Sequence, residues 1–139
     1  MPTVEDELKR IDPQLSDTML NALTKYNYPK EIAAFFESRL NSENLAVAGQ
    51  AAYTISQHGT EKDRTKIETR LKQWVERWNE RYFELDGPQL KPENTGQAQL
   101  QVNLIMALLL GKAWKITDAD KDELRSHCLS STCKQAFHW

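Results

Sequence analysis

The chain predicts an all-α protein assembled from repeated helical hairpins, and three observations lead there. Two short strings, Glu37-Ser38-Arg39-Leu40 and Glu68-Thr69-Arg70-Leu71, stand 31 residues apart, with Phe36 and Ile67 ahead of them at matching positions. Each string closes an amphipathic segment, and self-similarity at a fixed step marks a repeat architecture. Apolar residues elsewhere recur at helical rather than strand spacing. Glycine and proline, five each in 139 residues, are too scarce for a turn-rich all-β fold.

Composition sets further bounds. With 40% apolar and 27% charged residues, the chain suits one domain, 1–139, with a sizeable core. A net charge of −2 and a pI near 5.9 give no global electrostatic case for nucleic acid or an anionic membrane. The longest apolar run, 104–110, is far too short to span a bilayer. The start Met1-Pro2-Thr3-Val4-Glu5-Asp6 is acidic and lacks the apolar stretch of a leader. Two cysteines make no disulfide framework of the secreted kind. The expectation is a cytoplasmic protein with no membrane association.

Each element has its own grounds. Val4, Leu8 and Ile11 fit a short N-terminal helix, and Asp12-Pro13 reads as cap and first helical residue of the next. Leu15, Met19, Leu20 and Leu23 stripe that helix, 13–28, until Asn27-Tyr28-Pro29 interrupts it. Ile32, Phe35, Phe36 and Leu40 stripe the helix 29–41. Ser42 is the expected cap of 43–58, lined by Leu45, Ala48, Ala52 and Ile55, with a left-handed Gly59 expected to close it. Thr60 and Asp63 form a capping-box pattern ahead of the longest helix, 60–84, in which Ile67, Leu71, Trp74, Val75, Trp78 and Tyr82 keep helical spacing. Asp86-Gly87-Pro88 opens the one proline-rich loop. The helix 95–112 is apolar nearly all round, as a helix covered on every side would be, and Gly111 breaks it. Thr117 and Asp120 repeat the cap pattern ahead of 117–136, and a shift of 57 carries Ile67 and Leu71 onto Leu124 and Cys128.

Within 43–71, the small residues Ala48, Gly49, Ala51 and Ala52, the turn at Gly59-Thr60 and the pair Ile67 and Leu71 resemble a HEAT-type repeat of the short bacterial form. The resemblance extends moderately to 15–40 and loosely to 98–129. It implies a right-handed α-α superhelix, a HEAT-like solenoid, of about three hairpins (13–41, 43–84 and 95–136) and six to seven helices. It further implies a non-enzymatic scaffold that binds another protein, with the second helix of each hairpin on the concave side. The pattern departs at Tyr28-Pro29, where the glycine turn should be, and between Gly111 and Thr117, where residues are added.

Other constellations are weaker. Asp118, Asp120 and Asp122 look like the start of a calcium loop, but the sixth and twelfth positions are Glu123 and Leu129 where glycine and a bidentate glutamate are needed. The acids read instead as complements to the helix dipole. His127, Cys128, Cys133 and His138 have zinc-ligand chemistry without zinc-ligand spacing. In one helix the two cysteines lie on different faces; if the helix ends at Ser130-Ser131 they can approach. Otherwise Cys128 is a small core residue.

On the long helix, Arg64, Lys66, Arg70, Lys72, Arg77 and Arg81 alternate with Glu61, Asp63, Glu68, Glu76 and Glu80, which argues for a solvated mixed-charge face over nucleic-acid binding. Trp74 reads as core, while Trp78, Tyr82 and Phe83 are open between core and an exposed apolar patch. The expected contact residues are Arg70, Gln73, Arg77 and Arg81, with Trp78 as anchor. No catalytic set, cofactor motif or metal site is expected. A piece of a longer array, or a homodimer joined through Trp78, Tyr82 and Phe83, is the second expectation.

Overall fold

The computed structural model describes residues 30–85 and 87–139, with side chains from Ala34 onward. The expected elements before Lys30 lie outside the described residues. Among these residues the fold is all-helical, without strands: α1 (Lys30–Arg39), α2 (Leu45–His58), α3 (Glu61–Trp78), α4 (Gln97–Leu110), α5 (Asp118–His127) and α6 (Ser131–Phe137). Three single 3-10 turns, Tyr82–Leu85, Gly87–Gln89 and Pro92–Asn94, connect α3 to α4.

α4 is the centre. It packs on α2, α3 and α6, while α1 packs on α2 and α3. Its apolar surface is covered on most sides, with Leu100, Val102, Leu104, Ile105, Ala107 and Leu108 all buried, but not on every side as expected: Met106 and Leu110 are exposed. α2 meets α4 closely because its facing residues are small. A side chain at Gly49 would run into Asn103. The repeated strings supply the next layer: Phe36 and Leu40 from the first, Ile67 and Leu71 from the second, are all buried.

Both Thr-x-x-Asp patterns cap as expected. The Asp63 carboxylate accepts from the Thr60 amide at 2.7 Å, and Thr117 and Asp120 satisfy each other's amides at 3.1 and 3.0 Å.

Four local expectations are corrected. The cap of α2 is Asn44, whose Oδ1 accepts from the amides of Ala46 and Val47; Ser42 accepts only from the Asn44 amide, two residues too early. Gly59 is extended, not left-handed. Glycine is needed there for space, since a Cβ would press on the Ile55 carbonyl and the Asp63 carboxylate. The long helix stops at Trp78 rather than 84. The tighter turn after it sends Leu85 into the core, at 5% exposed, and leaves Tyr82 and Phe83 outside. The helix expected over 117–136 is two, α5 and α6, broken at 128–130.

Gly111 ends α4 for a steric reason. Trp114 folds back over it and donates from Nε1 to the Leu108 carbonyl at 2.9 Å, so a Cβ on residue 111 would collide with the indole. Gly111→Ala is therefore expected to cost about 1–3 kcal/mol by overpacking, read from the midpoint of urea unfolding.

α1 also meets α3 through a pair of acids. A hydrogen bond with Asp63, then partial burial and the Asp63 charge, raise the Glu37 carboxyl above its ordinary 4.5, and Lys66 opposes them. The folded state thus holds a proton that the unfolded chain gives up first. Stability from this contact is present below pH 4.5 and is lost as pH rises through the elevated folded value. Glu37→Gln keeps a donor toward Asp63 at every pH. Thermal melts are expected to favour the variant at pH 7 and to converge with the parent near pH 4.

Candidate partner-binding face

Arg70, Gln73, Arg77 and Trp78 lie on α3, and Arg81 lies on the turn just past it. Arg70 and Arg77, seven residues apart, share one helical face. Arg70 is half-buried and donates from Nε to the Leu40 carbonyl at 2.8 Å, closing the end of α1. Burial, and after it the charge of Arg77, lowers its guanidinium from the ordinary value. An arginine from the second repeated string thus ties down the end of the first. Gln73 is exposed.

Trp78 differs from the expectation that made it a contact anchor. It is 1% exposed and belongs to the core. The guanidiniums of Arg77 and Arg81 lie 5.1 and 5.0 Å from the centre of its ring, within cation–π reach. Its indole Nε1 is buried without a hydrogen-bond partner. The ring therefore serves the surface indirectly, by holding two exposed arginines above it. Arg81 is fixed further by a fork onto Glu84, at 2.8 and 3.3 Å, whose hydrogen bonds keep the Glu84 carboxyl below its ordinary value.

The next two residues are exposed aromatics, as is Tyr53 on α2. Tyr82 is 37% and Phe83 54% exposed. With Arg77 and Arg81 they make a composition enriched at the centres of protein interfaces. The helical pattern could not separate Trp78 from Tyr82, because both continue one stripe.

A concavity of about 200 Å³ lies between α3 and α5, lined by Leu71, Leu108, Ile116 and Leu124 among others. Arg64 crosses it to Asp120 at 3.2 Å and also approaches Glu68 at 3.7 Å. The Thr117 amide, more than Arg64, keeps the Asp120 carboxyl below its ordinary value. Asp120 is thus engaged as a cap and as the partner of an arginine on α3. No sequence signal marked this cleft, since its walls, 64–72 and 108–127, are far apart in the chain.

The break between α5 and α6 brings Cys128 and Cys133 together as a disulfide, with Cα atoms 5.6 Å apart. Bonded sulfurs are not available to zinc, so the four-ligand cluster considered above is not assembled. Buried Gln101 of α4 secures the break from below. It donates to the His127 carbonyl and accepts from the Ser130 amide and hydroxyl at 3.2 and 2.8 Å. Ser130 in turn caps α6 through the Cys133 amide at 3.1 Å.

No protein-family model, curated protein or solved structure matches this chain. No helix among the described residues is long and apolar enough to cross a membrane.

Proposed function

We propose that the chain is a non-enzymatic protein-binding module, a right-handed superhelix of stacked hairpins whose aromatic end engages another protein. The observation that carries the reading is the exposed pair Tyr82 and Phe83 beside Arg77 and Arg81, with both arginines seated on the buried Trp78 ring. An anchored arginine loses little side-chain freedom on binding, so more of its contact energy is kept. Stacking is supported by the packing of α2 on α4 and of α1 on α3, and by the Arg70 bond to the carbonyl of Leu40. In this reading α2 and α4 form one layer, and α1, α3 and α5 the other. The partner presents apolar side chains to Phe83 and acceptors to Arg77.

The test is affinity capture from a lysate of the source organism, with the parent chain and the Arg77→Ala/Phe83→Asp variant as paired baits. A stoichiometric protein retained by the parent and lost from the variant is the expected result. Equal retention by both overturns the surface assignment. Self-association of the parent alone, abolished in the variant and seen as concentration-dependent mass by light scattering, would turn the same face into a homodimer interface.

A further inference from the structure

We propose that the Cys128–Cys133 disulfide is a redox-active pair that exchanges with small anionic thiols, the incoming sulfur attacking Cys128. Both cysteines are buried, Cys128 at 2% and Cys133 at 0% exposed, but they differ in what they face. Cys128 lines an open cavity of about 370 Å³ together with Arg125, Lys134, His138 and Trp139. Cys133 is fully buried and takes no part in that lining. The cavity thus offers an approach to Cys128 and not to Cys133, which makes Cys133 the leaving group.

The lining of the cavity selects the attacker. Arg125 and Lys134 carry positive charge, His138 adds an imidazole, and no carboxylate side chain is among the lining residues. Arg125 is held over the Trp139 ring, 5.8 Å from its centre, and Trp139 stacks on Phe137 at 4.8 Å, so the basic rim has a fixed wall behind it. Such a rim concentrates thiols bearing carboxylates, and it stabilises Cys128 as the thiolate after reduction.

The exchange balances. A thiolate RS⁻ attacks Cys128 Sγ, the Cys128–Cys133 bond breaks, and Cys133 leaves as a thiolate that takes a proton from water. A second RS⁻ attacks the outer sulfur of the mixed disulfide, releasing Cys128 thiolate and the disulfide RSSR. Two thiols are oxidised and one protein disulfide is reduced. Gln101 bonds His127 and Ser130 on either side of the break without involving the sulfurs, so these contacts favour re-formation of the pair.

The experiment follows reduction of the folded full chain by mass spectrometry at low salt, using glutathione (anionic) and cysteamine (cationic) at equal thiolate concentration. Glutathione is expected to react about tenfold faster. Its adduct should map to Cys128, and the preference should fall to near unity in Arg125→Ala/Lys134→Ala. Wild-type protein in about 1 M salt, where screening shortens the Debye length to ~3 Å, should lose the preference too, which keeps the test independent of the variant's folding. Equal rates for the two thiols, an adduct on Cys133, a preference that survives high salt, or reduction only after global unfolding would each overturn the proposal.

Discussion

Trp74→Ala is expected to remove about 3–5 kcal/mol of stability, the range for deleting a large buried aromatic. The ring is 1% exposed, and its Nε1 donates to the Gln97 carbonyl at the start of α4, 3.1 Å away. The loss thus combines a cavity with an unmade bond between α3 and α4. Trp78→Ala belongs in the same range, because that ring is equally buried. Phenylalanine separates the two positions. Trp78 Nε1 has no partner, so Trp78→Phe gives up only volume, whereas Trp74→Phe also gives up the bond to Gln97. Urea unfolding should therefore rank Trp74→Phe as the costlier change. A Trp78→Ala variant as stable as the parent would mean that the ring is a surface anchor after all, as the sequence alone allowed.

Gln101→Leu is the second large effect, expected at about 2–4 kcal/mol despite being nearly isosteric and more apolar. Gln101 is fully buried and satisfies three groups across the α5–α6 break: the His127 carbonyl and the Ser130 amide and hydroxyl. Leucine leaves buried donors and an acceptor without partners, and each such group costs about 1–3 kcal/mol where water cannot reach it. Hydrogen exchange should place the weakening in residues 128–137, with amide protection there falling before that of α2. A cost under about 1 kcal/mol, or uniform loss of protection, would show that the apolar packing of α6 on α4 alone fixes the C-terminal helix.

The parts of the fold legible in the sequence were those set by local chemistry. The stripes through Phe36 and Leu40 and through Ile67 and Leu71 named core residues because period 3.6 selects one face whatever the tertiary context, whereas the all-round apolar segment 100–110 did not reveal that Met106 and Leu110 are exposed. The Thr60–Asp63 and Thr117–Asp120 caps were legible because both partners sit within one turn. Long-range contacts decided what could not be read. Helix 117–136 reads as one element through Leu124 and Cys128, but Gln101, 26 residues earlier than the carbonyl it bonds, helps hold it open at 128–130 together with the Ser130 cap and the Cys128–Cys133 bond. Tyr82 continues the stripe of α3, yet a 3-10 turn places Leu85 in the core instead. The same turn separates buried Trp78 from exposed Phe83, and that separation defines the candidate surface. The cleft between α3 and α5 joins residues with no shared sequence pattern, so nothing local announced it, whereas the cavity at Cys128 is built within 125–139, where Cys128, Cys133 and His138 already cluster in the sequence.

The central claim is that the end of α3 and the turns after it, not the Trp78 ring beneath, form the working surface. Hydrogen–deuterium exchange of the chain, alone and with its captured protein partner, tests it most directly. The account expects new protection confined to peptides covering 77–90, with α2 and α4 unchanged. Protection that instead appears on α2 or α5, while 77–90 exchanges as in the free chain, would contradict it.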